Sequence, residues 1–136
     1  MTVNKERVEL FVQALESDGY IQCRQSLRRG RLTNLPNMDV QWTHCALGVA
    51  VDVALKHGLQ RPERVLRANW ETWLWNHGTL PAPVMEWYGF EDPDPEITID
   101  EGVGPIVTSV AGANDDVSDF WTIAQAVRAQ YLKDES

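Results

Sequence analysis

Only two cysteines, Cys23 and Cys45, occur in the chain, and they form no CxxC pair. That excludes a disulfide scaffold and makes reduced thiols the expected state. No apolar run is long enough to span a bilayer, and the N-terminal MTVNKERVEL lacks the apolar core of a secretory signal. A cytoplasmic protein with no membrane association is therefore expected. Internal repeats and low-complexity linkers are also absent, and 136 residues leave room for one core of ordinary size. A single domain over 1–136 is expected. With 43% hydrophobic and 24% charged residues, the chain is too apolar for disorder.

Basic residues are missing from a long stretch: no Lys or Arg stands between Arg67 and Arg128. Residues 1–67 hold ten bases against seven acids, whereas residues 68–136 hold two against thirteen. The net charge of −8 is thus split between a mildly basic half and a strongly acidic one. The acidic side repels nucleic acid and attracts basic partners, or simply solvates the surface. The cluster Arg24, Arg28, Arg29 and Arg31 suits phosphate, but it has no interleaved aromatics and no nucleic-acid motif around it. Direct nucleic-acid binding is not expected.

Apolar periodicity sets the elements. Val8, Phe11, Val12 and Leu15 make one stripe, predicting a helix over 4–17 that stops at Gly19. The nearly all-apolar run from Cys45 to Leu55, closed by Lys56-His57-Gly58, predicts a central helix over 45–57 with Thr43 as its N-cap. Gly48 in its interior costs about 1 kcal/mol against alanine, which predicts a close backbone contact there. Asp52 and Lys56 are spaced for an ion pair, so Asp52 reads as a structural carboxylate.

Residues 31–35 and 40–43, around a turn at 36–39, suggest a short hairpin. Residues 62–77 read equally as a helix or as a tryptophan-rich ribbon. A short helix over 81–88 is expected, with Gly89 after it, then a loop over 91–101 and a last helix over 118–132. The fold class is α+β and mainly helical: a central apolar helix, three or four amphipathic helices around it, and one short β-ribbon.

Chemistry-bearing motifs are scarce. Cys45 near a helix start favours a thiolate, and His44, His57, His77 and Asp52 offer a base on paper. The competing reading is a buried cysteine acting as a small hydrophobe. The histidines and cysteines lack metal-ligand spacing, and neither Asp92–Glu96 nor Asn114-Asp115-Asp116 matches a calcium loop, so no metal and no cofactor are expected. A phosphate-binding glycine loop and GxSxG are also missing. Asn114 and Asp115, with Ser118, are expected to cap the last helix, each contributing to stability. Six tryptophans remain to be placed. Trp70, Trp73, Trp75 and Trp87, with Tyr88 and the acids Glu91, Asp92 and Asp94, have the composition of either a core or a protein-binding surface.

Four motifs follow in order: Tyr20-x-Gln22 with Leu27 and Arg31; Cys45-x-Leu47-Gly48-Val49 with Asp52 and Ala54; Leu80-Pro81-x-x-Val84-x-x-Trp87-x-Gly89; and Asn114-Asp115 with Phe120, Ile123 and Ala124. In these the chain resembles a family of small proteins of tailed phages and prophages, mainly actinobacterial. Its members carry a CCLGVxCD-like helix and an LNDxxxxFxxIA-like C-terminus. Here His44 and Ala46 flank Cys45, Val51 stands where a cysteine is common, and Ala113 replaces the leucine before Asn114. Those departures argue against a cysteine pair or metal site. The resemblance implies phage origin and no established enzymatic activity. The expected role is an accessory protein that binds a host protein, with a homo-oligomer possible; the alternatives are a Cys45-dependent hydrolase or transferase and an acidic nucleic-acid mimic.

Overall fold

Eight of the eleven residues of the helix Ala46–Lys56 (here α2) are buried, which puts it at the centre of the core. The structure, a computed structural model, describes residues 3–17, 19–24, 26–32, 40–63, 67–100, 104–116 and 118–132. The chain runs α1 (Lys5–Glu16), β1 (Arg28–Leu32), β2 (Val40–His44), α2, a 3-10 turn (Arg67–Asn69), α3 (Trp70–Trp75) and α4 (Ala82–Tyr88). It continues through β3 (Glu96–Asp100), β4 (Pro105–Ser109), α5 (Val110–Asp115) and α6 (Phe120–Val127), and closes with a π-turn (Arg128–Leu132). The fold is α+β and mainly helical. None of the described helices is long and apolar enough to cross a membrane.

The stripe Val8, Phe11, Val12 and Leu15 of α1 is buried against α2, α4 and α6. Asn4 caps α1, its Oδ1 accepting from the Arg7 N–H at 3.1 Å. The helix stops at Ser17, whose hydroxyl donates to the Ala14 carbonyl, so the stop precedes the expected Gly19. Tyr88, at the end of α4, is fully buried and donates its hydroxyl to the Ala50 carbonyl of α2. Gly89 ends α4 with φ +81°, as the glycine after this helix should. Arg128, the base that ends the long acidic stretch, reaches back from the π-turn after α6 to Glu9 and Glu16 of α1 at 3.0 Å each.

Several expectations are corrected. The central helix is capped by Cys45 and not by Thr43, because Thr43 and His44 are still paired with β1. The first strand of that hairpin begins at Arg28, earlier than expected, and the turn at 36–39 lies outside the described residues. Residues 67–75 are helical, which settles the ambiguous tryptophan segment. The expected loop over 91–101 contains β3, whose pairing with β4 makes a second two-stranded antiparallel sheet where one ribbon was expected. Asn114 and Asp115 belong to a further short helix, α5, and α6 starts at Phe120 with Asp119 as its cap.

Candidate functional site

The β1–β2 register brings an arginine and a tryptophan together. Arg28 pairs with His44 and Gly30 with Trp42, so Arg28, Trp42 and His44 share one sheet face. Glycine opposite Trp42 leaves that face open, and the Arg28 guanidinium lies over the indole at 3.9 Å. Helix α3 supplies the other wall. Its Glu71, Thr72 and Trp75, with Asn76 just beyond, stand about one turn apart and so face the same way. The Arg28 guanidinium is also 4.3 Å from the Trp75 ring centre. These six side chains line a cleft of about 310 Å³. Trp42 remains 47% exposed at its mouth.

A polar cluster lies behind the cleft. The His44 ring meets Tyr20 and Trp75 edge-on, at 5.1 and 5.6 Å. Tyr20 donates to the Asp52 carboxylate at 2.5 Å, and Lys56 binds the same oxygen at 2.8 Å. The expected i,i+4 ion pair between Asp52 and Lys56 is therefore present. Burial and the Asp52 carboxylate push the Tyr20 hydroxyl up to about 12. Burial would raise Asp52, but the hydrogen bonds from Lys56 and Tyr20 outweigh it and hold the carboxylate below its ordinary value. Burial lowers His44, keeping its imidazole neutral at pH 7. Its Nδ1 and the Trp75 indole N–H are both buried without a hydrogen-bond partner among the described residues. Neither Tyr20 nor Asp52 is tuned toward pH 7, as acid–base catalysis would require.

The other candidates are dispersed. Cys45 is 5% exposed, and its Sγ accepts from the Gly48 N–H at 3.3 Å. Burial pushes its thiol up to about 11, the opposite of the expected thiolate at a helix start. His57 ends the same helix, roughly 18 Å away at 1.5 Å per residue. His77 is tied to the Trp73 carbonyl at 2.7 Å. Among the described residues, no nucleophile–base pair forms around Cys45.

The expected aromatic–acidic surface is broken up as well. Trp70 stacks on Trp73, Trp87 lies under Arg7 of α1, and Tyr88 belongs to the core. Of the tryptophans proposed for a surface, only Trp75 lines the cleft. Asp94 holds the Ala111 N–H at the start of α5, and Asp92 holds the Asp94 N–H. Glu91 is exposed and does not line the cleft. Trp42, Arg28, Glu71 and Tyr20 were not singled out from the sequence as a site. The usable signal was Val40-Gln41-Trp42-Thr43-His44, whose alternation places Trp42 and His44 on one face. Among the described residues, no group of three His, Cys, Asp or Glu side chains converges to hold a metal ion.

The raised Cys45 thiol makes stability depend on alkaline pH. The folded state keeps this proton through the window from 9.0 to about 11, whereas the unfolded thiol gives it up. Stability therefore falls as pH rises through that window, by on the order of 2 kcal/mol in all. Denaturant midpoints measured at pH 8 and pH 10.5 should drop further in the native sequence than in Cys45→Ala. A Cys45 that alkylates readily in the native protein at pH 7.5 would contradict this account.

A family model described as a domain of unknown function (DUF8296) matches residues 3–131. No curated protein and no solved structure matches the chain.

Proposed function

We propose, for a chain that belongs to the DUF8296 domain family, a binding role centred on the cleft between β1–β2 and α3. One observation carries the reading: a half-exposed tryptophan and a guanidinium held against two indoles frame an open cleft. Arginine and tryptophan are the side chains most enriched at binding hot spots. The resemblance to small phage and prophage proteins makes the partner a host protein met in the bacterial cytoplasm. The alternative, a Cys45-dependent hydrolase or transferase, has a buried protonated thiol against it.

The test uses the full chain immobilised and exposed to bacterial lysate at low salt, beside Trp42→Ala. Trp42 is half exposed, so its truncation should change stability by no more than about 1 kcal/mol. The expected result is a specific set of captured proteins that Trp42→Ala loses while its melting curve is kept. Capture of nothing, or of the same set by the variant, would overturn the reading.

A further inference from the structure

The geometry points to a carboxylate as the group that docks on Arg28, presented by an acidic segment of the partner protein. This deepens the binding role proposed above and rests on it. Arg28 uses its guanidinium faces on Trp42 and Trp75, and contacts of that kind leave the N–H donors, which lie in the guanidinium plane, for an in-plane acceptor. No described carboxylate approaches Arg28 within ion-pair distance, and its side chain makes no hydrogen bond among the described residues. Arginines paired with a planar acceptor typically form two parallel N–H···O bonds, and a carboxylate is the flat group that matches this fork.

The surroundings agree in shape. A carboxylate sliding in beside the guanidinium would stay in the slot that the two indoles flank, where exclusion of water strengthens the pair. Arg28 belongs to the basic half of the chain, with Arg24, Arg29 and Arg31 close in sequence. The facing wall, α3, belongs to the acidic half, so the attraction for an acidic segment is local to Arg28. Burial lowers the Arg28 guanidinium from its ordinary value, opposed by Glu71 and Asp52; Glu71 lines the same cleft but stands too far away to neutralise Arg28 as an ion pair. It acts as a mild electrostatic brake on an incoming anion.

Because Trp42 and Trp75 report on the cleft, tryptophan fluorescence of the full chain can be titrated at low ionic strength with pentaglutamate, pentaglutamine and inorganic phosphate. A saturable change with pentaglutamate is expected, and none at equal concentrations of the other two. Arg28→Lys keeps the charge but loses the fork, and should weaken pentaglutamate about tenfold. Glu71→Gln removes the brake at an exposed position and should tighten it about threefold, an effect that salt erases. Should Arg28→Lys fail to fold, the Glu71→Gln arm still decides. Equal binding of pentaglutamine, equal binding of phosphate, weaker binding by Glu71→Gln, or no response to pentaglutamate would each overturn the carboxylate assignment. Capture from lysate that depends on Trp42 would survive that result, so the two failures are distinguishable.

Discussion

Replacing Gly48 with alanine is expected to lower stability by at least about 3 kcal/mol and the melting temperature by roughly 10 °C. Alanine in an exposed helix interior gains about 1 kcal/mol over glycine, so intrinsic propensity predicts the opposite sign. Packing decides otherwise. A Cβ built on Gly48 would lie 1.8 Å from the Leu27 carbonyl oxygen and 2.8 Å from its carbonyl carbon. These are backbone atoms, so no rotamer change relieves the overlap; the whole segment entering β1 must shift. The same carbonyl accepts the Cys45 N–H at 3.2 Å, at the cap of α2, so the shift also strips a helix terminus of its partner. Truncating the Leu27 side chain cannot rescue the variant, and Gly48→Ala with Leu27→Ala should be no better than additive. A thermal melt in which Gly48→Ala equals or exceeds the native protein would show that α2 and residue 27 do not approach in this way.

That close approach could be read from the sequence because a glycine inside a run of Val, Ala and Leu has few other reasons to be there. The helices with a full apolar stripe were legible for a similar reason: α1, α2 and α6 each repeat it over at least two turns. Helix α4 is short but carries its own punctuation, with prolines at its start and Gly89 at its end. Helix α5 has only six residues, including a glycine and an asparagine, and offers no period to detect. The sheet of β3 and β4 was hidden differently. Glu96-Ile97-Thr98-Ile99-Asp100 alternates cleanly, burying Ile97 and Ile99, but the acids and prolines just before it read as loop. Local chemistry masked a correct period.

The candidate site was less legible because its parts come from separate segments whose registration no local pattern encodes. In the sequence Trp75 stands among the aromatics and Arg28 within a basic cluster. Their meeting depends on Arg28 being paired with His44, a register set across residues that alternate poorly. The tryptophan count leaves core and binding surface open, and burial divides the rings among a helix stack, the α1 contact and the cleft wall. Exposure also falls outside the aromatic–acidic segment: Trp42 is 47% and Trp121 62% exposed. Their immediate sequence neighbours do not distinguish them from the others.

Asn114→Ala is expected to cost about 3–5 kcal/mol, since the buried amide joins three segments. Its Oδ1 accepts the Gln22 side-chain N–H at 2.9 Å and the Ala46 N–H at 3.0 Å, and its Nδ2 donates to the Cys23 carbonyl at 2.8 Å. It therefore caps the first turn of α2, not the last helix that follows it in sequence, a role held by Asp119 through the Thr122 N–H at 2.8 Å. Alanine would leave the Ala46 N–H and the Cys23 carbonyl without these partners in a region closed to water. Gln22 would keep its bond to the Ser118 carbonyl at 2.9 Å, so only part of the network fails at once. Asn114→Asp discriminates further. It preserves the acceptor for Ala46 but sets a second carboxylate oxygen against the Cys23 carbonyl, so it should destabilise despite the favourable helix start. Asp115 is exposed, and Asp115→Ala should cost less than about 1 kcal/mol. Denaturant melts of the three variants separate these roles. Equal losses at Asn114→Ala and Asp115→Ala would mean that the pair acts together at the turn before α6 and that the connection to α2 carries little of the stability.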